Sequence, residues 1–194
     1  MARPIEKRQH IERAVVEVVA RKGLPATTIQ DIAVAATVSQ GLLYRYWENR
    51  DDLAGDVYRK QLATLLGRLA VRAAGRPTLW DQIDALVDGF LEFADEQPVV
   101  LTFILLSQHH LHGSVPESQG IFAFLRPILE EGMRNGVLRP LDVGISLQFA
   151  LGIVMQPVIG ATYGNLPRPI AQYRKVICEA LRRVLGADPE ARKR

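Results

Sequence analysis

The sequence predicts an all-α protein of about nine helices, and three of its features support this fold class. Apolar residues recur three and four positions apart through most of the 194 residues, which is the period of a helix with one buried face. Glycine or proline follows most of these runs, as expected where helices end. No segment has the alternating pattern of a half-buried strand, and the sequence contains no internal repeat or low-complexity segment.

The first helix is predicted from about Ile5 to Lys22. Gly23 ends it, because glycine readily adopts the left-handed conformation that often follows a helix. One face of this helix carries an apolar stripe that consists of Ile11, Ala14, Val15, Val18 and Val19. The stripe indicates that the helix packs on a core through one side.

The segment Thr27–Leu53 is typical of a helix-turn-helix. Thr27 or Thr28 can cap a short helix, with Gln30 or Asp31 closing a capping box. The apolar face of that helix consists of Ile29, Ile32, Ala33 and Ala36. The sequence therefore predicts a short amphipathic helix directly before a tight turn.

The second helix of the pair is predicted to begin at Gln40, capped by Ser39, after residues 37–39 interrupt the apolar pattern. With Leu43 toward the core, the angles place Tyr46 and Trp47 beside it and leave Gly41, Leu42, Tyr44 and Arg45 on the outward face and its flanks. This face carries no carboxylate, and its phenol, guanidinium and amide groups can bond to phosphates or base edges. The pattern alone fits an ordinary small helical corner equally well.

The motifs TTIQDIA, VSQGLLYRYW and NRDDL resemble the DNA-binding domain of the TetR family of bacterial transcriptional regulators, in register over about the first 55 residues. In that family the cap of the second helix and the outward residues of the third contact DNA. The candidate DNA contacts are Thr28, Ser39, Gln40, Gly41, Leu42, Tyr44, Arg45, Tyr46 and Arg50. The resemblance thus implies that this segment docks on duplex DNA.

Two positions depart from the family pattern. Thr37 stands where a glycine is usual in the turn between the two helices, and a residue other than glycine at positive φ there stores strain of about 1 kcal/mol. Leu42 stands where a small hydroxyl residue commonly bonds a phosphate. An apolar side chain cannot form that bond but can pack on a thymine methyl. These departures affect the operator sequence rather than the docking mode.

The remaining helices are predicted from the same signals, which are capping residues or proline at their starts and glycine or proline near their ends. They are predicted at about Asp51–Ala74, after the cap Thr78, from Pro98 to residues 109–113, at Ile121–Asn135 with a kink at Pro127, and at Asp142–Tyr163 and Ile170–Leu185. We expect a DNA-binding domain over residues 1–50, a helical effector-binding and dimerisation domain over residues 51–186, and a flexible tail over residues 187–194.

The apolar stretch Val143–Tyr163 approaches the length of a membrane span. Gln148, Gln156 and Pro157 make it a poor lipid-facing sequence, so we expect a helix that its own domain covers on one side and a second subunit covers on the other. The TetR resemblance implies that the last two helices pair with their counterparts in a dimeric four-helix bundle. Glycines at positions 144, 152 and 160 permit a close helix approach.

The resemblance also implies an effector pocket between the middle helices, and its lining is harder to identify. The candidates are Tyr58, Leu62, Phe90, Phe93, Phe103, Phe124 and Phe149, with Gln156 or His109 as an orienting polar group. Each of these aromatic residues fits a plain core position as well. The cluster His109, His110 and His112 lacks the partners of a metal site and is typical of a helix end.

Composition excludes several classes of protein. The sequence contains no phosphate-binding glycine loop, no nucleophile elbow and no zincin motif, so we expect neither an enzyme nor a bound cofactor or metal. The single cysteine, Cys178, stands among apolar residues and is predicted to be a buried structural thiol of a reducing cytoplasm. Lys7 and Arg8 occupy the N-terminus without an apolar run, which predicts a cytoplasmic chain without a signal peptide. The net charge is +3, and residues 1–50 carry eight basic against five acidic side chains.

Two functions from different classes fit this sequence. The first is a dimeric repressor that a small lipophilic effector releases from a palindromic operator. The second is an architectural or assembly protein that binds DNA through the same fold without an effector. The phenylalanines of the middle helices favour the first, whereas a closed C-terminal domain would favour the second.

Overall fold

The computed structural model describes the backbone of residues 4–187 and, within that range, the side chains from residue 7 onward except that of His112. These residues form nine α-helices and three short 3₁₀ helices, so the predicted all-α fold is confirmed. The α-helices are α1 (Pro4–Lys22), α2 (Ile29–Ala35), α3 (Gln40–Leu43), α4 (Arg50–Ala73), α5 (Leu79–Glu96), α6 (Pro98–Leu111), α7 (Ile121–Arg134), α8 (Val143–Thr162) and α9 (Arg174–Leu185). The 3₁₀ helices are His112–Ser114, Glu117–Gln119 and Ile170–Tyr173. From residue 188 onward, the predicted tail lies outside the described residues.

The chain forms two compact units. The first comprises Met1–Thr64 and Gln97–Pro116, and the second comprises Leu65–Glu96 and Glu117–Arg194. The first unit is larger than the DNA-binding domain expected over residues 1–50, because it also includes the N-terminal part of α4 and all of α6. The expected domain boundary after residue 50 therefore stays a prediction.

The core of the first unit is built on the apolar stripe of α1, as expected. Its largest fully buried side chains are those of Ile11, Ile32, Leu43, Leu53, Leu101 and Phe103. Burying one such side chain stabilises a fold by about 1.5–3 kcal/mol. Glu12 is buried on the same helix, where Lys60 and Arg8 form ion pairs with it and compensate its charge.

In the second unit, α5 presents its apolar stripe inward, with Ile83, Leu86, Val87 and Phe93 buried. Gly132 of α7 lies so close to the start of α5 that a Cβ atom there would be 2.4 Å from Leu79 Cδ2. This position therefore requires glycine for packing rather than for backbone conformation.

The last predicted helix, Ile170–Leu185, is regular only in its second part. A 3₁₀ turn occupies Ile170–Tyr173, and α9 follows it. The carboxylate of Asp95 on α5 accepts hydrogen bonds from the backbone N–H groups of Ile170 at 2.9 Å and Ala171 at 3.0 Å. The two N–H groups are thus held by a carboxylate of α5, so a neighbouring helix fixes where the 3₁₀ turn before α9 begins. The period of the apolar residues does not indicate this contact.

Helix α8 is long and apolar enough to cross a membrane, judged by length and composition alone, a test that core helices of soluble proteins also pass. One face of it is covered by its own unit, as predicted, with Ser146, Leu147, Val158 and Ala161 buried. The opposite face is open in the protomer, where Ile145 and Phe149 are exposed. The structure thus leaves an apolar helix face that its own unit does not cover.

Candidate nucleic-acid interface

The predicted capping box at the start of α2 is present. Thr28 Oγ1 accepts a hydrogen bond from Asp31 N at 3.1 Å, and the Asp31 carboxylate accepts one from Thr28 N at 2.7 Å. Hydrogen bonding from Lys22, and then from Thr28, holds the pKa of the Asp31 carboxyl well below its usual range. The box fixes the first turn of α2 and leaves Thr28 exposed at the surface.

Thr37, in the turn between α2 and α3, has a φ of 52°. This value confirms the positive φ that the TetR resemblance led us to expect at this position. A β-branched residue rarely adopts this left-handed conformation, so the turn stores strain.

We expect Thr37→Gly to leave the protein equally stable or to stabilise it by up to about 1 kcal/mol, because relief of strain offsets the greater entropy of the unfolded chain. Ala36→Gly is the matched control, since Ala36 has an ordinary φ of −80°. That control should destabilise the fold. Thermal unfolding of both variants decides the matter, and a clear fall in the Tm of Thr37→Gly would contradict the prediction.

Helix α3 begins as predicted and ends earlier than expected. Ser39 caps it, with Leu42 N donating to Ser39 Oγ at 3.3 Å, and Leu43 is fully buried. The helix ends at Leu43, and Tyr46 N and Trp47 N both donate to the carbonyl oxygen of Leu43. Trp47 therefore packs into the core as predicted, whereas the expectation that Tyr46 lies beside Leu43 is wrong.

The surface of α3 and the following turn is open and rich in hydrogen-bonding groups. Tyr44 and Tyr46 are 53% and 62% exposed. Gln40, Gly41 and Arg45 are exposed beside them, and no described atom lies within 4 Å of the position that a Cβ would take at Gly41. The sequence has no carboxylate between Asp31 and Glu48, so no acidic side chain of this segment repels a phosphate. We call the exposed side of residues 40–46, which is the candidate for contact with DNA, the DNA-facing surface.

Two candidate DNA contacts are only partly accessible. Leu42 is half-buried at the edge of the DNA-facing surface. The Arg50 guanidinium donates to the carbonyl oxygens of Leu24 at 3.1 Å and Thr27 at 2.8 Å and pairs with Asp51. Arg50 therefore ties the segment before α2 to the start of α4, and its role in contacting DNA stays a prediction.

The candidate effector residues are divided between the two units. Tyr58, Leu62 and Phe103 lie in the first unit, where the rings of Tyr58 and Phe103 meet edge to face with centroids 6.3 Å apart. Burial raises the pKa of the Tyr58 hydroxyl. The remaining candidates, Phe90, Phe93, Phe124, Phe149 and Gln156, lie in the second unit.

The second-unit candidates themselves divide between core and surface. Phe93 is buried beneath the Arg68 guanidinium, which lies 5.4 Å from the ring centroid. Phe149 is 43% exposed, and it shares the open face of α8 with Gln156. Both side chains are thus open to solvent in the protomer, and their part in an effector pocket stays a prediction. An open cleft of about 550 Å³ in this unit is lined instead by Gly67, Arg68, Val71, Arg72, Ala74, Arg76 and Gly89.

The other singled-out residues have structural roles. Cys178 is buried as predicted, and its burial, together with the charge of Asp84, raises the pKa of the thiol to about 11. His109 and His110 lie in the last turn of α6, as expected of a helix end. The side chain of His112 lies outside the described residues.

Sequence reasoning missed Asp56, which accepts hydrogen bonds from Trp47 and Arg8. Its one local signal is a lone carboxylate next to the apolar stripe residues Leu53 and Val57 of α4. That signal is weak, because the partners of Asp56 lie on other elements.

Comparisons with known proteins agree with this geometry. The family model described as bacterial regulatory proteins, tetR family, matches residues 11–57. The chain is 23% identical over 158 residues to the fatty acid metabolism regulator protein of Bacillus subtilis, covering 78% of this chain and 81% of that protein. It is 27% identical over 136 residues to the transcriptional repressor KstR2 of Rhodococcus jostii, covering 67% and 66%. The crystal structure of the transcriptional regulator FadR from Bacillus subtilis in complex with stearoyl-CoA has the same fold, with a TM-score of 0.79 at 20% identity over 89% of this chain and 96% of that chain.

Proposed function

Because the chain belongs to the TetR family of bacterial transcriptional regulators, we propose that it is a homodimeric repressor, which a small lipophilic effector releases from a palindromic operator. The observation that carries this proposal is the DNA-facing surface, residues 40–46, with its exposed Tyr44, Arg45 and Tyr46. It acts in the cytoplasm, where its operator lies.

The docking follows from the chemistry of this surface. Arg45 presents a guanidinium that bonds a guanine edge or a phosphate, and Gln40 presents an amide suited to an adenine edge. The phenols of Tyr44 and Tyr46 suit phosphate oxygens on either side. Gly41 allows the backbone to come close to the DNA. These groups position one protomer on one half-site.

Dimerisation is supported by the open face of α8. Its exposed stripe runs along the helix at helical spacing through Ile145, Phe149, Gly152 and Gln156, and the exposed Tyr163 directly follows the helix. On α9, which packs beside α8 in the same unit, Val176 is also exposed. An exposed apolar face of this length needs a partner, and a second copy supplies a self-complementary one through a two-fold axis. When two DNA-binding segments are held at a fixed spacing, the binding free energies of the two half-sites add.

The effector class is inferred from two matches, both from Bacillus subtilis. One protein is named as a fatty acid metabolism regulator, and the structure of the transcriptional regulator FadR was determined in complex with stearoyl-CoA. Long-chain acyl-CoA is therefore the first compound to test. An effector acts by binding one conformational state more tightly than another, and a tenfold preference shifts the equilibrium by only about 1.4 kcal/mol, so useful release requires a larger ratio.

Selection from a library of random duplexes tests the DNA-binding part of the proposal. We expect enrichment of a palindrome with half-sites about one helical turn apart. Recovery of unrelated duplexes with equal affinities would contradict specific operator binding.

Calorimetry tests the effector part. We expect stearoyl-CoA to bind the protein and to weaken its affinity for the selected duplex. Linkage then requires that the duplex weaken the affinity for stearoyl-CoA by the same factor. Octanoyl-CoA and free coenzyme A serve as controls for chain length and for the nucleotide. Acyl-CoA binding without any change in duplex affinity would contradict the proposed release from the operator by an effector.

One observation favours the architectural alternative. The rings of Tyr58 and Phe103 are both buried and meet edge to face, an arrangement that a plain core position also explains. A protein of this second kind would bind its duplex with an affinity that no acyl-CoA, and no other lipophilic compound of a panel, alters.

A further inference from the structure

Asp56 lies on α4 where three other groups of the first unit converge. The indole Nε1 of Trp47 donates to Asp56 Oδ2 at 3.2 Å, and Arg8 Nη2 donates to the same oxygen at 2.9 Å. Arg59 Nη2 approaches Asp56 Oδ1 at 3.4 Å. One carboxylate thus connects α1, α4 and the segment that follows α3.

Trp47 is the residue through which this carboxylate acts on the DNA-facing surface. Its ring is buried directly after that surface and lies 5.7 Å from the ring of Tyr46, centroid to centroid. A buried indole N–H requires an acceptor, and Asp56 is the acceptor here. The hydrogen bond to Asp56 fixes the orientation of the Trp47 ring. The packed ring in turn fixes the backbone of the turn that carries Tyr44–Tyr46.

The carboxylate stays ionised at neutral pH. Burial raises the pKa of Asp56, but the hydrogen bonds from Trp47 and Arg8 and the charges of Arg8 and Arg59 together bring the pKa below its ordinary value. A charged acceptor makes stronger hydrogen bonds than a neutral one. The Trp47 contact is therefore a strong restraint on the turn.

Arg59 connects this carboxylate to the end of α6. Its Nη1 donates to the carbonyl oxygen of Ser114 at 3.2 Å, in the 3₁₀ turn that follows α6. Gly55 permits the close approach, since a Cβ there would lie 3.3 Å from Ser114 Cβ. The hydroxyl of Ser114 donates to the carbonyl oxygen of Leu111 at 2.7 Å and fixes the turn on α6.

We propose that Asp56 is a positioning residue for the DNA-facing surface and that it acts on this surface through the indole of Trp47. The proposal rests on the repressor function proposed above and adds the polar contacts that hold residues 40–46 in one orientation.

The indole N–H resonances of the two tryptophans test the contact directly. In ¹⁵N-labelled full-length protein, Trp80→Phe assigns the Trp47 peak. We expect Asp56→Asn to shift the Trp47 peak, and Arg59→Gln to shift the same peak by a smaller amount. Asp88→Asn is the matched control, because Asp88 is 29% exposed against 30% for Asp56 and is likewise paired with an arginine. It should leave the Trp47 peak in place.

Affinity for a duplex selected by the wild-type protein tests the consequence. We expect Asp56→Asn to weaken binding by about tenfold, the loss typical of a charge-assisted hydrogen bond. Arg59→Gln should weaken binding by a smaller factor, and Asp88→Asn should stay within about twofold of wild type. Trp47→Phe keeps an aromatic, though smaller, ring and removes the N–H donor, so adding Asp56→Asn to it should cost clearly less than Asp56→Asn costs alone.

Two results would overturn the proposal. One is a Trp47 peak that does not move in Asp56→Asn. The other is a loss of duplex affinity no larger than that of Asp88→Asn. If Asp56→Asn fails to fold, Trp47→Phe decides, because wild-type affinity in that variant would rule out the indole contact. Failure of the library to yield any specific duplex would refute the proposed repressor function itself, a result distinguishable from a selected duplex that Asp56→Asn binds normally.

Discussion

Arg45→Ala is expected to weaken binding of a palindromic duplex by about 2–6 kcal/mol. Each half-site loses one guanidinium contact of about 1–3 kcal/mol, and the symmetric dimer makes that contact twice. Arg45 is exposed, and it lies beside Tyr44 and Tyr46 in a segment without carboxylates. Tyr44→Ala should act in the same direction with a smaller effect. Folding should be unaffected, because neither side chain contributes to the buried core.

Arg126→Ala is the charge-matched control for Arg45→Ala. Arg126 lies on α7 in the second unit, where it pairs with Glu130 on the surface.

Gel-shift titrations at several salt concentrations distinguish a phosphate contact of Arg45 from a base contact. If Arg45 binds a phosphate, its loss reduces the salt slope by about one per protomer, whereas a base contact leaves the slope intact and relaxes specificity at one position. Equal affinity of Arg45→Ala, Tyr44→Ala and the control would exclude Tyr44 and Arg45 from the DNA interface.

Gly152→Leu should loosen the dimer by about 1–3 kcal/mol and reduce DNA affinity with it. Within the protomer the new side chain meets no obstacle, since no described atom lies within 4 Å of the position of its Cβ. In the proposed dimer, a leucine on the open face of α8 would instead separate two helices that we expect to pack closely. Sedimentation of the variant over a range of concentrations measures the change in dimer dissociation.

The matched control for this variant is Gly67→Leu. Gly67 is also an exposed helical glycine, and no described atom lies within 4 Å of its Cβ position either. It lies on α4, away from the face of α8 that we assign to the dimer. This control should dimerise as wild type does and be slightly more stable, because leucine favours helix more than glycine does. A wild-type protein that is monomeric at micromolar concentration would contradict the dimer outright.

The helix-turn-helix could be predicted from the sequence because its signals are local. The caps at Thr28 and Ser39 and the positive φ at Thr37 each depend on residues within four positions. The exposure of Tyr46 could not be predicted in the same way. An angle of 100° per residue assumes that α3 continues, whereas it ends at Leu43.

Features that depend on distant partners were beyond the sequence. Periodicity identifies α8 as apolar but does not separate the face that its own unit covers from the face with Phe149 and Gln156. The role of Asp56 follows from its hydrogen bonds with Trp47 and Arg8, which lie on other segments. Likewise, the contact of Arg59 with Ser114 joins residues 55 positions apart. Long-range pairing of polar groups leaves no period in a sequence.

Hydrogen exchange of the full-length protein, with and without a selected duplex, tests most directly the claim that residues 40–46 bind DNA. We predict that the duplex slows amide exchange in peptides that cover residues 28–47 and leaves the exchange of α7 unchanged. Slowed exchange confined to the open face of α8, or no change in residues 28–47 at saturating duplex, would contradict the assignment of this surface to DNA.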